Sequence, residues 1–210
     1  MFSLQTKAVN KSGLLLTQFE LKQPKKVKGY CYHFNVPEEH LKEYKQTIYN
    51  HGTFYKEACD LFHSLYPQAP YSASHFLEFL KNCWGISATI RPFTNRTELD
   101  LKGTWEWDDD LKDSVTIRIE NTMTEAQKKL TIIHECFHVI EDLDPSFLAM
   151  IEGCHPDIRL RVAERIAEKS AVEAVLPQHE YEHYRREHKT RSEIADKYRV
   201  SMGLVNNFRV

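Results

Sequence analysis

The segment from Thr124 to Leu143 constrains the fold more strongly than any other part of the sequence. Thr124-Glu-Ala-Gln127 has the spacing of a capping box, so a helix is predicted to begin there and to run to about Leu143. Leucine, isoleucine, valine, phenylalanine and cysteine residues then occupy a wide sector of this helix. An apolar sector of this width predicts a helix that is at least partly buried.

The neighbouring segments predict more helices and one small sheet. Before the central helix, helical spacing is seen from Pro37 to Tyr66, with a break at Gly52, and a third helix is predicted after Ser72. Alternating or β-rich runs predict strands at 86–90, 103–107 and 114–119. A second long helix is predicted from about Pro156 to Val175, and the polar remainder is also helical in pattern. The fold class is therefore α+β, with a small three-stranded antiparallel sheet.

Composition limits the class of protein. The 210 residues are 41% apolar and 28% charged, which is typical of a globular chain. A net charge of -2 provides no general attraction for nucleic acid or for an anionic membrane. Five cysteines without CxxC spacing fit free thiols, and the start of the chain has no signal-peptide pattern. These features predict a soluble cytoplasmic protein.

The central helix carries His134-Glu135-Cys136-Phe137-His138. Two histidines four positions apart project from one helix face and can hold a single ion, which predicts a metal site. Glu135 follows the first histidine by about 100° around the helix. This position suits a general base that activates water close to the metal. The alternative interpretation is a pair of histidines at the solvent edge of an amphipathic helix.

A metal site of this kind needs a third protein ligand, usually from a following helix. In the helix after Pro156, Glu164 and Glu168 lie on a stripe that is otherwise apolar, where a carboxylate needs a partner. We predict Glu164 as the third ligand and Glu168 as the acceptor of a ligand histidine's second N–H. Glu173 and Glu152 are alternative ligands, and Glu164 could instead pair with a neighbouring arginine, Arg161 or Arg165.

Several segments in the same order resemble the ImmA/IrrE metallopeptidase family. They are Ile117-Arg-Ile-Glu-Asn121, Lys129-Leu-Thr-Ile-Ile-His-Glu-Cys-Phe-His138, Glu164-Arg-Ile-Ala-Glu-Lys-Ser-Ala-Val-Glu-Ala-Val-Leu-Pro177 and Ile194-Ala-Asp-Lys-Tyr-Arg-Val-Ser201. The resemblance implies that Glu164 is the third zinc ligand and Glu135 the catalytic glutamate. Phe137 stands where the family has a glycine, and Ile166, Glu168 and Ser170 also depart from its pattern.

The resemblance implies a zinc-dependent endopeptidase that cleaves a helix-turn-helix transcriptional repressor and so de-represses stress or mobile-element genes. The same ligands would also accept other divalent transition metals. A different hypothesis is a metal-containing module that binds a repressor or toxin without proteolysis, and Phe137 in place of glycine favours it. We divide the chain into an N-terminal extension (1–35), a metallopeptidase domain (36–188) and a helical tail resembling a helix-turn-helix (189–210).

The remaining candidates are less defined. A zinc peptidase needs a donor for the oxyanion, and the candidates near the end of the domain are His155, His179, Tyr181, His183 and Tyr184. DNA binding by the tail is not expected, because its second helical segment is almost uncharged. His33, His40, His51, His63 and His75 show no ligand spacing and are expected to be ordinary polar residues.

Overall fold

The computed structural model describes residues 36–94, 102–108 and 110–208. The α+β fold is confirmed. Helices precede and follow the three strands along the chain, and the C-terminal tail is helical. A turn at Asn10–Gly13 and a strand at Tyr30–Phe34 would be possible from the sequence, but they lie outside the described residues.

The elements follow one another as the sequence pattern predicts. A short 3₁₀ turn, Glu38–His40, leads into the first helix. The helices and strands are α1 (Leu41–His51), α2 (Lys56–Leu65), α3 (Ala73–Trp84), β1 (Ser87–Phe93), β2 (Gly103–Trp107), β3 (Ser114–Glu120), α4 (Glu125–Leu143), α5 (Pro145–Gly153), α6 (Pro156–Val175), α7 (Gln178–Arg186), α8 (Arg191–Tyr198) and α9 (Met202–Asn207).

Local signals account for the ends of the main helices. At the start of α4, Thr124 Oγ1 accepts from Gln127 N, and Gln127 Oε1 accepts from Thr124 N, so the predicted capping box is present. The side chain of Ser72 caps α3 by accepting a hydrogen bond from His75 N. Gly85 ends α3 with a φ of 74°, a left-handed conformation that glycine adopts without steric cost.

The sheet is mixed, whereas an all-antiparallel sheet was expected. Its strand order is β1-β3-β2, in which β3 pairs parallel to β1 and antiparallel to β2. Alternation of apolar and polar residues reports which face of a strand is buried, but it carries no information about strand direction. The central position of β3 agrees with its nearly continuous burial, while the edge strand β1 is mostly exposed or half-buried.

Helix α4 lies at the centre of the core and packs against α3, α6, β2 and β3. Ala167 and Ala171 on α6 are fully buried, and such small side chains allow α6 to approach α4 closely. Aromatic residues of α2 and α3 fill the adjoining space. Phe62 and Phe76, for example, have ring centroids 5.1 Å apart.

The tail is packed onto the rest of the protein. Tyr198 on α8 is fully buried, and both its hydroxyl and that of Tyr71 donate to the carboxylate of Glu180 on α7. Lys129 on α4 donates from Nζ to the carbonyl oxygen of Tyr198 at 2.7 Å. The tail therefore shares polar and apolar contacts with three other parts of the fold.

None of the helices in the described ranges combines the length and the apolar character needed to cross a lipid bilayer.

Candidate metal centre

Three predicted ligands converge between α4 and α6. His134 and His138 extend from successive turns of α4, and Glu164 faces them from α6. The Nε2 atoms of the two histidines are 3.0 Å apart. The carboxylate of Glu164 places Oε2 3.3 Å from Nε2 of His134 and Oε1 3.3 Å from Nε2 of His138.

These distances fit a single transition-metal ion. In a tetrahedral zinc site with bonds near 2.1 Å, neighbouring ligand atoms are about 3.3–3.5 Å apart. The three observed separations are close to that value, and all three ligand atoms lie within 4.8 Å of one another. Among the residues that the structure describes, no further histidine, cysteine, aspartate or glutamate belongs to this group. Three protein ligands leave a coordination position for water or substrate.

The electrostatics of the site favour an ionised Glu164. Burial raises the pKa of Glu164, but the charge on His138 and the hydrogen bonds with both histidines outweigh burial and hold that pKa well below its usual value. Glu164 therefore remains a carboxylate ligand at neutral pH. The interpretation in which Glu164 pairs with Arg161 or Arg165 does not describe this arrangement, because its carboxylate is directed at the two imidazoles.

Glu141 orients the second histidine of the motif. One of its carboxylate oxygens lies 2.7 Å from Nδ1 of His138, and both side chains are buried. Burial lowers the pKa of His138, but the carboxylates of Glu164 and Glu141 raise it well above its usual value. With Nδ1 engaged by Glu141, Nε2 of His138 is directed at the ligand cluster.

The sequence pattern predicts this orienting role for Glu168. In the structure Glu168 is half-buried on α6 and forms an ion pair with Arg165. The carboxylate on His138 Nδ1 comes instead from the same helix, three residues after the histidine. The sequence signal for Glu141 is its spacing, because a glutamate three residues after His138 shares a helix face with it.

Glu135 is buried beside the cluster and against strand β2. Burial raises the pKa of its carboxyl group, while the charges on His134 and His138 act in the opposite direction. A Cβ atom added to Gly103 would lie 2.7 Å from Oε1 of Glu135 and 2.6 Å from Cγ2 of Thr131. The missing side chain of Gly103 therefore leaves room for the Glu135 carboxylate. A glycine within a strand is the sequence signal for such a close approach.

Phe137 faces away from the cluster. It is fully buried, and its ring packs near Phe76 and Tyr55, with centroid distances of 5.2 and 5.7 Å. The bulky residue at this position is accordingly part of the aromatic core. It provides no argument that the site is blocked.

Three of the five oxyanion-donor candidates, His155, Tyr181 and His183, have other surroundings. His155 caps the start of α6, about 14 Å along the helix axis from Glu164 at 1.5 Å per residue. Tyr181 is buried with its ring centroid 4.5 Å from that of Phe208. His183 is exposed and lies 3.2 Å from Glu187. None of these contacts involves the three ligands.

Comparison with known proteins gives a fold relationship. No protein-family model matches the sequence, and no curated protein sequence matches it. Among solved structures, a chain described as a Mycobacterium tuberculosis transcriptional regulator has a TM-score of 0.56 and 16% sequence identity. The alignment covers 78% of this chain and 50% of that chain, so this protein spans half the length of its structural neighbour. At this level of identity the similarity concerns the fold alone.

Proposed function

We propose that this protein is a zinc-dependent endopeptidase whose ligands are His134, His138 and Glu164. The observation that carries the proposal is the convergence of these three side chains at tetrahedral spacing, with a buried carboxylate, Glu135, next to them. The metal could also be another divalent transition ion, because imidazole and carboxylate ligands accept several of them.

A zinc ion held there would supply Lewis acidity, polarising the scissile carbonyl and making water a better nucleophile. Glu135 accepts the proton of the attacking water and delivers it to the leaving amine nitrogen. Its raised pKa, a consequence of burial, makes it a more effective proton shuttle near neutral pH than an exposed glutamate. Glu141 fixes the ring of His138, and Gly103 leaves the space that the Glu135 carboxylate occupies.

The proposed substrate is a helix-turn-helix repressor, and the site of action is the cytoplasm. This part of the proposal is supported by the resemblance of four sequence segments to the ImmA/IrrE metallopeptidase family. Cleavage of the repressor would de-repress stress or mobile-element genes. A fold similar to that of a protein described as a transcriptional regulator is compatible with a role in gene control.

The direct test is Glu135→Gln in cells that also produce a candidate helix-turn-helix repressor. The variant is expected to retain zinc and to lose cleavage by at least about 100-fold, which is typical for removal of a general base. Glu168→Gln is the matched control, since it changes a glutamate to glutamine on α6 at the ion pair with Arg165. Unchanged cleavage by zinc-loaded Glu135→Gln would refute the proposed mechanism.

A second candidate is a metal-containing module that binds a repressor or toxin without cleaving it. The feature that favours it is Phe137, which stands where the resembling family has a glycine in the motif. The same experiment separates the two functions. If the protein is a binding module, its Glu135→Gln variant would still relieve repression. DNA binding is outside both proposals, since Met202–Asn207 contains no lysine or arginine.

A further inference from the structure

A second group of side chains of metal-ligating type lies at the amino end of α6. His40 belongs to the 3₁₀ turn before α1, whereas His155 and Asp157 belong to the start of α6. Their donor atoms all lie within 4.8 Å of one another, as in the first cluster. The sequence alone gives His40 no ligand spacing, because its partners are distant in sequence and only folding brings them together.

The donor atoms of this cluster lie slightly farther apart than the ligands of one zinc ion, and Nδ1 of His155 also accepts from the backbone N–H of Asp157 at 3.3 Å, a bond that a metal at this atom would replace. Asp157 Oδ2 lies 3.6 Å from His40 Nε2 and 3.8 Å from His155 Nδ1, and both distances exceed a normal hydrogen bond. Ligands of one tetrahedral zinc ion are separated by about 3.3–3.5 Å. The two imidazole rings are stacked, with their centroids 3.7 Å apart. Neutral imidazoles are the form that binds metals.

The surrounding charges partly oppose and partly favour a cation. The amino end of α6 carries partial positive charge, and Arg161 one turn along the helix interacts electrostatically with Asp157. Glu43 offsets them from α1, where its carboxylate accepts from the backbone N–H of His155 at 2.8 Å. The ligand set of two imidazoles and one carboxylate suits transition ions that bind nitrogen, whereas hard cations such as Mg²⁺ need several oxygen ligands.

From these observations we propose that His40, His155 and Asp157 form a second site for a divalent transition metal, of which zinc is the test ion. The side chains of His155 and Asp157 are 43% and 57% exposed, so solvent would complete the coordination. A metal bound there would join the segment before α1 to the start of α6. It would therefore cross-link these two segments, which are distant in sequence, at a place separate from the cluster around Glu164.

The experiment is to count zinc ions per chain after equilibrium dialysis of the full-length protein against a moderate excess of Zn²⁺. Two ions are expected for the unmodified protein, and one for His40→Gln and for Asp157→Asn. His179→Gln is the matched control for the loss of an exposed histidine and should keep two ions. A single ion in the unmodified protein that His40→Gln and Asp157→Asn both retain, or two ions in both cluster variants, would overturn the proposal.

The two sites are distinguished by a second set of variants. His134→Ala removes a ligand of the first site and should leave one ion, while His134→Ala combined with His40→Gln should leave none. Zinc should raise the thermal unfolding midpoint of His134→Ala, and this rise should disappear in the double variant. If the midpoint of His134→Ala does not respond to zinc, the cross-link is refuted. If His134→Ala loses no zinc, the first site fails and the second stands.

Discussion

Replacing Gly103 by alanine tests the contact between strand β2 and the glutamate of the motif. The new Cβ would lie 2.6 Å from Cγ2 of Thr131, 2.7 Å from Oε1 of Glu135 and 3.1 Å from Cδ of Glu135. The first two separations are shorter than Cβ atoms show in real structures, so the strand or one of these side chains must move. Overpacking of this kind typically costs about 1–3 kcal/mol.

The opposing effect is smaller. Alanine restricts the unfolded chain more than glycine does, and this stabilises a protein by about 0.4–1 kcal/mol where the backbone permits it. We therefore expect Gly103→Ala to lower the free energy of unfolding measured in urea. Zinc affinity should change little, because the contacts are with Glu135 and Thr131 and not with the ligands. Peptidase activity should fall, because the Glu135 carboxylate is displaced.

Two variants make this expectation specific. Gly153→Ala is the matched control, since its Cβ would meet nothing within 4 Å, and it should leave the free energy of unfolding unchanged or slightly higher. Thr131→Ser removes the methyl group and keeps a hydroxyl that can donate to Met123, so Gly103→Ala should cost less in that background. Equal stability of Gly103→Ala and the unmodified protein, with activity intact, would contradict the steric argument.

Three further perturbations address other parts of the protein. Glu141→Gln should weaken zinc binding about 10–100-fold in a competition titration with a chelator, because the ring of His138 loses its carboxylate partner; unchanged affinity would contradict this role. Tyr198→Phe removes a hydrogen bond to the Glu180 carboxylate and should cost about 1.5–3 kcal/mol in urea unfolding, whereas a neutral effect would mean that this bond does not hold the tail. Burial lowers the pKa of Lys129 from 10.5 to about 8, so between these pH values the unfolded chain binds more protons than the folded protein. As pH rises through that window, the protein should therefore gain stability relative to Lys129→Met. A constant difference in stability between the two proteins would refute the shift.

The sequence was most informative where one segment carries its own signal. The helix after Thr124 begins at its capping box, and the spacing of His134 and His138 on one helix face follows from helical geometry alone. Glu164 could be inferred because a carboxylate on an apolar stripe requires a partner. The resulting cluster has the geometry of a metal site.

Other features depend on which segments meet in three dimensions. Strand direction in the sheet depends on how the strands meet in three dimensions, which alternation of residues does not encode. The orienting role of Glu141 was not predicted, because Glu168, one turn after Glu164, was expected to take that role. His40 could not be connected with His155 and Asp157, since no local pattern relates a turn near the start of the domain to the beginning of α6.

The position of Glu180 has a consequence for the cooperativity of unfolding. Its carboxylate accepts from Tyr71, which precedes α3, and from Tyr198 in the tail, and both tyrosine side chains are buried. Undocking the tail would expose Tyr198 and leave part of this hydrogen-bond network unsatisfied, so α8 is not free to open at low cost. Amide hydrogens of α8 should then exchange with solvent at rates close to those of the central helix, and the tail should resist proteolysis until the whole domain unfolds.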